Sequence, residues 1–161
     1  MLKQMNKNDF IVSKTDLQGR ITYSNRIFMQ MGEYTEGELL GQPHSIIRHP
    51  SMPKTVFKLL WDMIQNKEEV FAYVLNKTKK GNEYWVYANV TPSLDENGKT
   101  IGYFSVRRMP NPKALERIIP LYKQMLQAEQ SGGTNAGTKI LTDILDEEGV
   151  SYNEFIIAIQ E

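Results

Sequence analysis

Residues 70–109, VFAYVLNKTKKGNEYWVYANVTPSLDENGKTIGYFSVRRM, carry the strongest structural signal in the chain. Three β-rich runs, Val70 to Lys77, Glu83 to Thr91 and Ile101 to Met109, are separated by Lys79-Lys80-Gly81-Asn82 and Asp95-Glu96-Asn97-Gly98, both of turn composition. Two hairpins in succession predict an antiparallel meander. Side chains alternate between the faces of a strand. Val70, Ala72, Val74 and Asn76 therefore share one face with Tyr84, Val86, Ala88 and Val90, and Phe71, Tyr73, Leu75, Trp85 and Tyr87 share the other. Asn76 ends a row of apolar, partly small residues. There its amide suits the edge of a planar heterocycle, or it merely opens the turn into Lys77.

Upstream, residues 10–24 (FIVSKTDLQGRITYS) read as a hairpin around Leu17-Gln18-Gly19, the glycine supplying a positive φ. Short helical pieces follow, RIFMQMG after Asn25 and TEGELLG with Thr35 as a cap, neither long enough to stand alone. KTVFKLLWDMIQ spaces Val56, Leu59, Leu60 and Met63 as one helical stripe after Pro53. Two strands, helices and three more strands assemble into a five-stranded antiparallel sheet with helices across one face, an α+β fold. Beyond Pro110-Asn111-Pro112, Leu115, Ile118, Ile119, Tyr122, Met125 and Leu126 form another stripe, in which Pro120 is expected to kink or split the helix. Ser131-Gly132-Gly133 marks a break, and Ser151-Tyr152-Asn153-Glu154 reads as a capping box opening a last helix. The division expected is an N-terminal cap over 1–8, a domain over 9–109 and a helical segment over 110–161.

The 19 basic and 19 acidic residues cancel, so no broad basic field exists to hold nucleic acid. The chain has no cysteine, which removes disulfides, thiolate metal sites and cysteine nucleophiles together. No signal-like leader and no long apolar run is present, so the expectation is a cytoplasmic protein without direct membrane insertion. No nucleophile and base motif, P-loop or dinucleotide fingerprint occurs, and an enzyme is not expected.

The two histidines lie in GQPHSIIRHPSMP. His44 and His49 are five apart around prolines, not a same-face helical pair, so a metal site is not expected. Arg48 and His49 directly precede a helix start. Paired guanidinium donors and free helix N–H groups together suit a pyrophosphate, although a surface arginine beside a capping loop is the plainer reading.

The element order, with TDLQGRITYSN, GQPHSIIRHPSMP, LNKTKKGNEYW and ANVTP, resembles the PAS sensor domains of bacterial aerotaxis receptors over residues 9–109. A single PAS unit with a helical tail is similar to the stand-alone PAS partner of bipartite energy-taxis systems. The resemblance implies a redox or energy sensor that holds FAD noncovalently, with FMN or haem as alternatives. It implies flavin contacts from Arg48 and His49, a ring hydrogen bond from Asn76 and a ring-contacting role for His44. Trp61 is read as core packing or, more sharply, as a ring contact. The pattern departs at Ser51, where the family has aspartate, and at Val70, where it has tryptophan.

The implied partner is a membrane-bound methyl-accepting, HAMP-type signalling protein, through which the chain would associate with the membrane; a homodimer is also compatible. The outer aromatic face needs cover, from the tail helices or from a partner. The alternative function is a cofactor-free PAS module acting in dimerisation or docking.

Overall fold

The computed structural model describes all residues, 1–161. The meander forms as its alternation dictates: β4 (Val70–Lys77), β5 (Glu83–Leu94) and β6 (Thr100–Arg108) pair antiparallel, with Asn76 opposite Tyr84 and Ala88 opposite Arg107. The first hairpin, β2 (Ile11–Thr15) and β3 (Ile21–Ser24), turns through Gly19 at φ 80° and pairs with β6. The expected five antiparallel strands are all present. A sixth, β1 (Leu2–Lys3), adds in parallel beside Glu83 and Tyr84 of β5, because the N-terminus lies along the sheet rather than over it.

Helices α1 (Arg26–Gly32) and α2 (Glu36–Leu39) are capped by Asn25 and Thr35, whose side chains accept from the Phe28 and Glu38 amides. A 3₁₀ turn over His44–Ile47 leads to α3 (Lys54–Gln65), and these pieces cover the inner face of the sheet. Their burial centres on Phe28, Leu39, Ile47 and Val56, all almost fully enclosed. At about 25 cal/mol per Å² of apolar area, such side chains supply most of the driving force for the fold.

The tail consists of α4 (Pro112–Glu148) and α5 (Tyr152–Gln160). Pro120 neither kinks nor splits α4. The only non-helical residue is Gly133, at φ 66° and ψ −161°. A proline removes one N–H bond, but the burial of Ile118, Leu121, Tyr122 and Met125 around an exposed Pro120 keeps the turn helical. The Ser151 hydroxyl accepts from the Glu154 amide, so α5 begins at its expected cap.

Of the two covers weighed for the outer aromatic face, the tail is the one present. Tyr73 is fully buried and donates to the Ile156 carbonyl at 3.1 Å, while the Tyr122 ring packs beside Trp85. No helix is long and apolar enough to cross a membrane.

Candidate functional site

Between the inner sheet face and α3 lies a cavity of about 300 Å³, at the lower end of the range for small-molecule sites. The sheet contributes Val74 and Asn76 from β4, Ala88 and Val90 from β5, and Tyr103, Ser105 and Arg107 from β6. Phe57, Leu60, Trp61 and Ile64 of α3 form the opposite wall, and His44, Ser45 and Arg48 close one end. Two apolar walls with polar groups at one end match the shape of a flat heterocycle with a polar edge.

The polar end is built around Arg107, which is 3% exposed. Its Nη1 lies 3.0 Å from His44 Nε2, its Nη2 donates to Ser13 Oγ at 2.8 Å, and Ser13 Oγ is itself 3.0 Å from His44 Nε2. An arginine only donates, so His44 Nε2 is an acceptor and the imidazole carries its proton on Nδ1. Burial, reinforced by the charges of Arg107 and Arg48, lowers the His44 pKa to about 3 and keeps the ring neutral. Arg107 faces no carboxylate. The Phe28 ring lies 4.6 Å from its Cζ, and burial pulls its pKa down to about 10.

Two donors at this end make no hydrogen bond of full geometry within the protein: Asn76 Nδ2, on a residue 2% exposed, which only approaches the Tyr84 hydroxyl, and Arg107 Nε. Orphaned buried donors are costly, and a native fold rarely keeps them without a use. A heterocycle edge bearing carbonyl and ring-nitrogen acceptors would satisfy both, so the residues present fit a flavin ring. The Tyr84 hydroxyl, likewise without a bond of full geometry, is buried opposite Asn76; burial raises its pKa to about 12, against the smaller opposing pull of the Arg107 charge and the nearby Asn76 amide.

The five residues singled out from sequence separate here. His44, Arg48, Trp61 and Asn76 all line the cavity. Trp61 is not core packing: it is 38% exposed and meets Tyr103 edge-on at 5.6 Å. Arg48 stacks its Cζ 3.8 Å above the Phe57 ring and leaves its chain exposed at the mouth, where its backbone bridges to Asn76. His49 stands outside the lining. Its Nδ1 accepts from the Ser51 amide at 3.0 Å and its Nε2 donates to Glu83 at 2.8 Å, so it pins the loop to β5 instead of facing a ligand.

The expected anion seat at the start of α3 is also corrected. The Lys54 and Thr55 amides already donate to the Glu129 carboxylate, at 2.9 and 2.8 Å, and no free helix N–H remains there for a phosphate.

Arg107, Ser13 and Tyr103 escaped the sequence reading. The available signal was the alternation along β6, which places Tyr103, Ser105 and Arg107 on the face of Ala88 and Val90.

Comparison with known proteins agrees with this geometry. The sequence model described as PAS fold matches residues 20–107. The aerotaxis receptor of Escherichia coli K12 is 42% identical over 115 residues, covering 71% of this chain and 22% of the receptor. The nitrogen fixation regulatory protein of Klebsiella pneumoniae is 25% identical over 97 residues, covering 60% of this chain and 20% of that protein. The chain thus spans about a fifth of the length of these relatives. Among solved structures, a light-oxygen-voltage domain studied with a flavin analogue superposes with a TM-score of 0.63 at 16% identity, covering 70% of this chain and 86% of that one.

Proposed function

The chain belongs to the PAS fold family, as a sensor domain related to aerotaxis receptors, and from that premise we propose that it is a flavin-binding redox or energy sensor acting on a chemotaxis transducer. One observation carries the flavin reading: the unpartnered Asn76 Nδ2 and Arg107 Nε border an acid-free cavity between two apolar walls. Asn76, His44 and Arg107 would hold the polar edge of the ring, Val74, Ala88 and Val90 one flat face, and Leu60 and Trp61 the other. Arg48, exposed at the mouth, would meet the phosphates, which suits FAD with its dinucleotide portion outside.

A bound flavin would supply reversible electron uptake. The protein's part is to exclude water from the ring and to hold the His44 proton on Nδ1. Neither histidine offers Nε2 to a haem iron, because Arg107 and Ser13 engage one and Glu83 the other. A cofactor-free module would fill this space with side chains, and the cavity between α3 and the sheet speaks for a ligand instead.

The proposed partner is a membrane-bound methyl-accepting, HAMP-type protein, reached from the cytoplasm; kinship with an aerotaxis receptor supports it. The test of the flavin reading is an absorption spectrum after reconstitution with FAD and removal of free ligand, with mass analysis of whatever is released. A yellow protein releasing FAD is expected. A protein that stays colourless overturns the reading.

A further inference from the structure

Helix α3 lies between two neighbours. Phe57, Leu60, Trp61 and Ile64 face the cavity, while Thr55, Lys58, Leu59 and Asp62 face Thr138, Leu141, Thr142 and Leu145 on the second half of α4. Anything that displaces α3 from the sheet must therefore press on the tail.

The first turn of α3 has no cap of its own. Pro53 stands at the N-cap position and makes no side-chain capping bond. The orphan amides are instead met by a carboxylate from α4. Glu129 accepts from the Lys54 amide at 2.9 Å, from the Thr55 amide at 2.8 Å and from the Thr55 hydroxyl at 2.6 Å. Acid at a helix N-terminus also meets the positive end of the helix dipole.

The contact is close as well as polar. A Cβ built on Gly137 would come 2.1 Å from Thr55 Oγ1 and 3.2 Å from the Glu129 carboxylate, so α4 can approach α3 only as glycine. Gly133, the one non-helical residue of α4, lies between Glu129 and Gly137 and turns the chain around this point.

We propose that Glu129 is a latch: it closes the tail onto the cavity wall at the first turn of α3, and filling the cavity loosens the tail by displacing that turn. Helix α5, which follows the latched half of α4, receives the Tyr73 hydroxyl on the outer sheet face, so its release would expose Tyr73. The link to cavity filling rests on the flavin reading; the latch contact itself does not.

Hydrogen exchange on the full chain tests both parts. In the ligand-free protein, Glu129→Ala is expected to speed exchange at least tenfold over residues 134–148 and at the first turn of α3, with β4 to β6 unchanged. Glu129→Gln, which keeps one acceptor oxygen, and Gly137→Ala, which pushes from the other side, carry the same readout if the alanine variant folds poorly. Unchanged tail exchange, or a uniform rise that includes the strands, overturns the latch.

With FAD added to the wild type, residues 134–148 are expected to exchange faster, and Glu129→Ala to show no further acceleration. If FAD binds and the wild-type tail does not respond, the link to the cavity is overturned. If FAD fails to bind, the flavin reading falls and the ligand-free comparison alone decides the latch.

Discussion

Arg107 Nη1 donates to His44 Nε2 over 3.0 Å, at the end of a cavity whose lining contains no carboxylate. The two residues hold each other in one protonation state. The guanidinium needs an acceptor and finds a neutral imidazole; the imidazole cannot take a proton on that nitrogen while the guanidinium occupies it.

This arrangement sets a pH dependence. The His44 pKa is lowered from 6.5 to about 3 by burial and by the Arg107 and Arg48 charges. Unfolded, the residue binds a proton as pH falls through its ordinary value; folded, it does not until near pH 3. The unfolded state therefore binds more protons in this window, and stability falls as pH drops below 6.5, by at most about 1.4 kcal/mol per pH unit. Urea titrations at pH 7 and pH 5 should show a larger loss for the wild type than for His44→Gln. Parallel slopes would mean that His44 is not held neutral.

Arg107→Met should move stability and binding in opposite directions. Removing a buried cation that lacks a counter-charge relieves its desolvation, and Ser13 and His44 remain 3.0 Å apart to bond each other. The ligand-free variant is expected to be as stable as wild type or more so, by about 1 kcal/mol. Flavin affinity should drop at least tenfold, about 1.4 kcal/mol, measured by equilibrium titration against the midpoint of urea unfolding.

Asn76→Ala isolates the other orphaned donor. Its Nδ2 makes no bond of full geometry and only approaches the Tyr84 hydroxyl, so ligand-free stability should change by less than about 1 kcal/mol. Affinity for FAD should fall by about tenfold, the worth of one buried hydrogen bond. Unchanged affinity would remove Asn76 from the site.

How much of this could be read in the sequence depended on distance along the chain. The meander, its register and the inward row ending in Asn76 follow from alternation between two glycine turns, all local. Arg107 was hidden because Arg108 follows it: an arginine pair at the end of a strand gives one residue to each face, and composition does not say which is buried. Arg108 is the exposed one, 5.3 Å from the Tyr87 ring. The start of α3 resembled an anion seat because its cap, Glu129, comes from 75 residues downstream. The partner of His49 was hidden in a similar way. The loop next to the helix suggested a ligand, whereas Glu83, on a strand brought alongside by the fold, takes its Nε2.

Strand β4 pairs with β5 alone, so its free side is a row of backbone groups that must be met or covered. The Phe71 amide donates to Asn153 Oδ1 at 3.1 Å and the Leu75 amide to Met52 Sδ at 3.3 Å. Between them the Tyr122 hydroxyl donates to the Tyr73 carbonyl at 2.6 Å, in full burial. Tyr122→Phe keeps the ring against Trp85 and deletes only that donor, leaving a buried carbonyl unmet at a cost of about 1 to 3 kcal/mol. The urea midpoint should fall accordingly with the slope unchanged. FAD affinity should stay as it was, because Tyr122 lies on the outer side of the sheet and Asn76 on the inner. A variant of wild-type stability would show that the carbonyl reaches water, and that the tail covers the β4 edge less closely than the 2.6 Å bond requires.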